Sequence, residues 1–313
     1  MLFIIFFAVI IQKSFSASSF NYEISARVID DLKSFLNQAR IAAQIPYDLL
    51  TNDIISIYNF STGTADKGRT LFYPLMRLYD KQIVAMQICF PNKLYFSYYR
   101  KSYLASVYQS KFFPDQELAI GIVDPLKFDG LGFSYASDSA GRIKQFIYNI
   151  TYDCKKTPWY KSIDKGSNAI WTHPFMSVIG NYPSISYVKP ITNISVNSMH
   201  ENGILAVLSA NIFFKEISDF LRKSYQESGS EIEVFMVDQS SGFLVASSLN
   251  ASLYTIDANG FRVYYIPFIL NLLVINFYFI FFFHFIFFFL YLNSLLFQRS
   301  PLKLLLSLKP LPC

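Results

Sequence analysis

Histidine is nearly missing from this chain: His173, His200 and His284 are the three in 313 residues. They share no spacing with cysteines or paired carboxylates, so no metal cluster is expected. Cysteine is as scarce. Cys89 and Cys154 lie in the middle of the chain, where a bridge and two free thiols are equally compatible with the sequence, and Cys313 stands apart at the end. There is no G-x-S-x-G elbow and no Cys–His nucleophile set. Gly63 to Thr70 resembles a phosphate loop, but Arg69 stands where lysine is required and no parallel βαβ context precedes it. That stretch reads as a solvated loop. No catalytic residue, metal or cofactor is expected, and the chain is not read as an enzyme.

Charge is also sparse and unevenly placed. Charged residues make up 16% of the chain, and four of its five net positive charges come from its ends. All 22 acids lie between Asn21 and Arg262, where they meet 23 basic residues. So balanced a middle has no basic field to attract nucleic acid.

What is abundant is apolar sequence, 52% of the chain with 33 phenylalanines. Met1 to Ile11 is an uninterrupted apolar run, too short to span a bilayer and suited to the hydrophobic region of a secretory signal. Small residues follow at Ser14, Ser16, Ala17 and Ser18. Residues 1–19 are therefore expected to be a signal peptide or signal-anchor. Between Tyr264 and Phe297 there are eleven phenylalanines and no Asp, Glu, Lys or Arg. Residues 264–297 are long enough for a transmembrane helix, and Arg299, Lys303 and Lys309 give residues 298–313 the basic character of a cytoplasmic tail. The string FYFIFFFHFIFFFLYL is equally compatible with mistranslated low-complexity sequence. The loss of all acids after Asp257 predicts that the transcript diverges from this chain between Tyr254 and Phe279.

Four N-x-S/T tripeptides begin at Asn59, Asn149, Asn193 and Asn250, all in the middle segment and none with proline at the second position. They predict an exported, glycosylated middle: residues 20–262 outside the cell or in a lumen, with the protein held in the membrane.

Ile24, Val28, Leu32 and Phe35 recur at helical spacing, which predicts a long helix over 21–44 ended by Pro46. A second helical stretch is expected over 51–58, a polar loop over 61–69, and a helix over 71–79 with Pro74 tolerable only in its first turn. The period then changes to two. Strands are expected at 82–90 and 94–99 around a turn at Pro91–Lys93, then at 131–136 and 143–150 around Asp138–Gly141. Further strands are expected at 169–175, 185–191 and 203–213, followed by an amphipathic helix over 214–225 and a hairpin of 233–237 with 243–247. The fold class is α+β: a long N-terminal helix leads into a PAS-like, mostly antiparallel sheet with flanking helices.

Five stretches occur in order: YDCKKTPWY (Tyr152 to Tyr160), IWTHPFMS (Ile170 to Ser177), SISYVKPI (Ser184 to Ile191), GILAVLSANIFFKEISDFL (Gly203 to Leu221) and EVFMVDQSSGFLVASS (Glu233 to Ser248). This series resembles the Cache family, the extracytoplasmic sensor domains of chemoreceptors, sensor kinases and cyclases and of calcium-channel accessory subunits. It is most similar to the membrane-distal module of a double Cache domain and covers residues 20–250. Only fifteen residues separate Ser248 from the uncharged run, so a second module is expected to be incomplete.

The resemblance implies an extracellular ectodomain that binds a small solute and signals across a membrane. It is also compatible with the N-terminal part of a receptor-type nucleotide cyclase or sensor kinase, or with a surface protein like the calcium-channel accessory subunits. It leaves room for a homodimer through the N-terminal helix. It places the ligand beside Tyr152, Trp159 and Tyr160, with Phe175, Ser177 and Asn211 on opposing strands. Flat aromatic faces with polar tips suit a pocket wall, and Trp159 suits a core position as well. In amino-acid-binding relatives an arginine precedes the tryptophan by two residues, and acids stand late in two strands. Those positions are Thr157, Ser177 and Asn211 here, with Lys155 and Lys156 as the nearest cations. The aromatic frame matches the family; the charged clamps do not.

Overall fold

A computed structural model describes residues 9–12, 18–57, 60–61, 63–80, 82–104, 106–112, 116–128, 130–163, 168–177, 182–192, 203–226, 232–238, 244–249, 254–256 and 262–264. The expected membrane span, its basic tail and the asparagines Asn59, Asn193 and Asn250 lie outside the described residues. Among the described residues no helix is long and apolar enough to cross a membrane.

The chain is α+β. Strand β1 (Val9–Gln12) precedes helix α1 (Ser18–Thr51) and helix α2 (Thr64–Leu78). Then come β2 (Ala85–Cys89), β3 (Tyr95–Arg100), the single-turn helix α3 (Ser106–Gln109), β4 (Leu118–Val123) and the single turn α4 (Pro125–Phe128). A hairpin of β5 (Leu131–Ser137) and β6 (Ile143–Thr151) leads to the single turn α5 (Pro158–Lys161). Short strands β7 (Ile170–Trp171) and β8 (Phe175–Met176) precede the long pair β9 (Pro183–Thr192) and β10 (Ile204–Phe213), after which α6 (Phe214–Leu221) begins directly. Four short strands follow: β11 (Ile232–Val237), β12 (Leu244–Ser247), β13 (Tyr254–Ile256) and β14 (Arg262–Tyr264).

Nine strands form one antiparallel sheet in the order β6-β5-β4-β3-β2-β10-β9-β7, with β8 also on β9. Alternation along the central strands sorts their side chains. Met86, Ile88, Phe96, Tyr98, Leu208, Ala210 and Ile212 pack with Val28, Leu32, Leu36, Phe72 and Met76 of α1 and α2 in the main core. Gly68 sets how closely α2 lies on the sheet, because a Cβ there would sit 2.1 Å from the Phe96 ring.

Several sequence expectations need correction. Pro46 does not end the first helix; α1 runs through it to Thr51, and no separate helix covers the described residues 52–57. Pro74 sits well inside α2. Each proline removes one backbone hydrogen bond. The flanking residues Ala42, Ala43 and Leu50, and Phe72, Leu75 and Met76, are buried, and their packing outweighs that loss. The polar stretch from Thr64 is helix rather than loop, entered from Gly63 in the left-handed conformation. Strand β4 was not anticipated at all. The C-terminal hairpin β11–β12 joins neither edge of the large sheet; it pairs with β1 in a separate three-stranded sheet.

Candidate ligand-binding site

The sheet face away from α1 and α2 carries Gln87 on β2, Tyr95 and Tyr99 on β3, and Ser209 and Asn211 on β10, all buried. Residues 152–161 close over part of this face. Two tethers hold that cap. A disulfide joins Cys154 to Cys89 on β2, with Cα atoms 6.1 Å apart, which resolves the two open alternatives for these cysteines in favour of a bridge. Lys93, in the β2–β3 turn, meets Asp153 at 3.1 Å. Within the cap, the Asp153 carboxylate accepts from the Lys155 backbone N–H, and the Thr157 hydroxyl donates to the Cys154 carbonyl. Pro158 then opens the turn that buries Trp159.

Between cap and sheet lies a cavity lined by Gln87, Tyr103, Tyr152, Thr157, Pro158, Trp159, Phe175, Ser177 and Asn211. The structure thus brings five of the six expected residues to one cavity. Tyr160 is the exception: its ring stands edge-on to Trp159 at 6.1 Å and does not line the space. Neither Lys155 nor Lys156 lines it. Gln87 and Tyr103 were missed. Gln87 had a signal, as the lone polar side chain in the buried strand AMQIC; Tyr103 had none.

A neutral hydrogen-bond network forms the floor. Asn211 Oδ1 accepts from Gln87 Nε2 at 3.0 Å, Ser186 Oγ at 2.7 Å and Ser209 Oγ at 2.7 Å. Tyr95 donates to Gln87 Oε1 at 2.9 Å. The Tyr103 hydroxyl meets Ser177 and Asn211, and the Tyr152 hydroxyl meets Tyr95 and Trp159. Burial pushes the Tyr103 phenol up to about 12 and raises Tyr95 and Tyr152 as well, so all three stay neutral at physiological pH. Among the described residues the cavity is lined by no Arg, Lys, Asp, Glu or His. Its free space is about 10 Å³, room for roughly one water.

Residues 118–219 match the family model described as methyl-accepting chemotaxis protein-like, first PDC sensor domain. This segment carries the PDC, or Cache, sensor fold. No curated protein matches the chain. Among solved structures, the ligand-binding domain of the Campylobacter jejuni chemoreceptor Tlp3 with 4-methylisoleucine aligns at 12% identity. It covers 72% of this chain and 66% of that one, with a TM-score of 0.39. The L-valine complex of the same domain gives 13% identity, 72% of each chain and a TM-score of 0.35. The ligand-binding domain of the Pseudomonas aeruginosa PAO1 amino acid chemoreceptor PctB, in complex with L-Gln, gives 12%, 60% of this chain, 57% of that one and 0.24.

Outside the cavity, one carboxyl of the PDC segment stands out. Glu216, in the first turn of α6, has a buried Oε2 with no hydrogen-bond partner among the described residues. The nearby Arg100 guanidinium is spent on the carbonyls of Met76, Tyr79 and Ile83. Burial foremost raises the Glu216 carboxyl to about 7. A carboxyl raised on folding binds more protons native than unfolded, so its stabilising effect is full below about pH 4.5 and is lost as pH rises through about 7. Glu216→Gln is expected to flatten the fall in urea midpoint between pH 5 and pH 8. An unchanged slope would show that Glu216 ionises freely.

Proposed function

We propose that residues 20–262 form the extracytoplasmic sensing part of a membrane receptor, and that the cavity beneath the 152–161 cap takes a small, uncharged solute. The neutral lining carries this reading. A zwitterion brought here would leave its two charges without ionic partners in a buried site, a costly arrangement. A solute with an apolar face and a few amide or hydroxyl groups would instead lie on Trp159 and Phe175 and exchange hydrogen bonds with Tyr103, Ser177 and Gln87. The disulfide supports export, since such bonds persist in oxidising compartments.

A cavity with room for one water must open to admit a ligand. The solute therefore selects a conformation with the cap displaced, and its differential affinity for that state sets how far the equilibrium shifts. Strand β10 lines the cavity through Asn211 and runs directly into α6, so a change at the cap has a short route toward the β11–β12 hairpin.

Screening uncharged solutes by thermal shift on the exported domain tests the proposal. A hit is expected to lose its stabilising effect in Trp159→Ala while the unliganded variant still unfolds cooperatively. A variant that fails to fold would make Trp159 a core residue. A screen in which only amino acids stabilise would reject the neutral-ligand reading.

A further inference from the structure

On the other side of the sheet α2 packs on β2 and β3 and α1 on β9 and β10, with β5 and β6 at the edge of the sheet. There Phe133, Tyr135 and Phe146 form a triangle of rings with centroids 6.0–6.4 Å apart. Phe146 is 50% exposed and Ile143 43% exposed, on the edge strand of the sheet. Of the three rings Phe146 is exposed while Phe133 and Tyr135 are half-buried, so the strip is a small apolar patch, of a size one bound group can cover.

The strand register says what lies next to it. Asn149 pairs directly with Phe133, and Phe146 pairs with Tyr135. Side chains of directly opposed residues share a face, with Cβ atoms about 5 Å apart. Asn149 is exposed, and it opens the tripeptide Asn149-Ile150-Thr151. Phe146 and Asn149 are three residues apart, an odd spacing that would set them on opposite faces of a regular strand; the bulge between Ser134 and Tyr135 brings both to the face of Phe133 and Tyr135.

We propose that Asn149 carries an N-linked glycan whose first sugar lies against Phe133 and Phe146, so that the glycan is the occupant of this strip. In the β-linked N-acetylglucosamine of such a glycan the ring substituents are equatorial, so its faces carry axial C–H groups that match an aromatic surface while the hydroxyls point outward from the rim to water. The amide link leaves both asparagine and sugar uncharged, and no ionic group is needed in the strip. The inference rests on the export of residues 20–262 proposed above.

The test uses the full chain secreted from a eukaryotic host. Mass mapping is expected to find Asn149 occupied, and complete enzymatic removal of the glycans to lower the unfolding midpoint by about 2–4 °C. Trimming to the first sugar should leave the midpoint where it was. In Phe146→Thr, a substitution at a half-exposed edge position, glycan removal should change little. Glycan at other asparagines with Asn149 bare would overturn this inference and leave export standing. No glycan at any site would overturn both. Occupancy of Asn149 with an unchanged midpoint, or a dimer that Phe146→Thr dissociates, would also overturn it, the second by showing that another copy of the chain covers the strip.

Discussion

Asn211→Ala is expected to destabilise the domain by about 3–5 kcal/mol, because one buried amide oxygen serves three donors. Each buried donor left without an acceptor costs about 1–3 kcal/mol. Gln87 Nε2 lies 3.4 Å from Ser209 Oγ, so this pair recovers part of the loss after the truncation. Asn211→Asp is expected to cost less at pH 7. A carboxylate keeps the acceptor for Gln87, Ser186 and Ser209, and Tyr103 is at hand as a further donor. Several hydrogen bonds to a carboxylate offset much of its desolvation. Urea unfolding of both variants decides the point. If alanine is the milder substitution, the network does not hold the cavity floor together. The same reasoning gives a gain of function. Thr157→Arg with Asn211→Asp places a cation and an anion on one cavity, and calorimetry is expected to show amino-acid binding only in the double variant.

The pairs β2–β3 and β5–β6 were legible from the turns that join their strands, Pro91-Asn92-Lys93 and Asp138 to Gly141, with Gly141 in the left-handed region. Strand β4 has no tight turn to either partner. Its sequence LAIGIV lies mid-sheet, largely buried on both faces, so it has no alternation to read. The two prolines misled at helix ends because local backbone preference is overruled by packing of α1 and α2 on the sheet. At the site, Tyr152, Trp159, Phe175, Ser177 and Asn211 followed from motif order. Gln87 and Tyr103 did not, since they come from strands and turns far away in sequence. Only the β2–β10 register, which sets Gln87 opposite Ser209, brings that glutamine to the floor.

Loss of the Cys89–Cys154 bond is expected to cost about 4 kcal/mol, the loop entropy released when a 65-residue separation is no longer closed in the unfolded chain. That is comparable to the effect expected for Asn211→Ala. It should also be local before it is global. The cap keeps the Lys93–Asp153 contact, but Lys93 is 53% exposed, and a surface ion pair contributes little. Without the bond, residues 152–161 are held chiefly by Trp159 and Tyr152. Trypsin is therefore expected to cut after Lys155 or exposed Lys156 in Cys89→Ser/Cys154→Ser well below the temperature at which the sheet unfolds. In the oxidised parent protein those bonds should resist cleavage until global unfolding. Equal resistance in both proteins would mean that packing alone holds the cap. The ligand would then have to open the cavity against that packing, and ligand affinity should be the same with and without the disulfide.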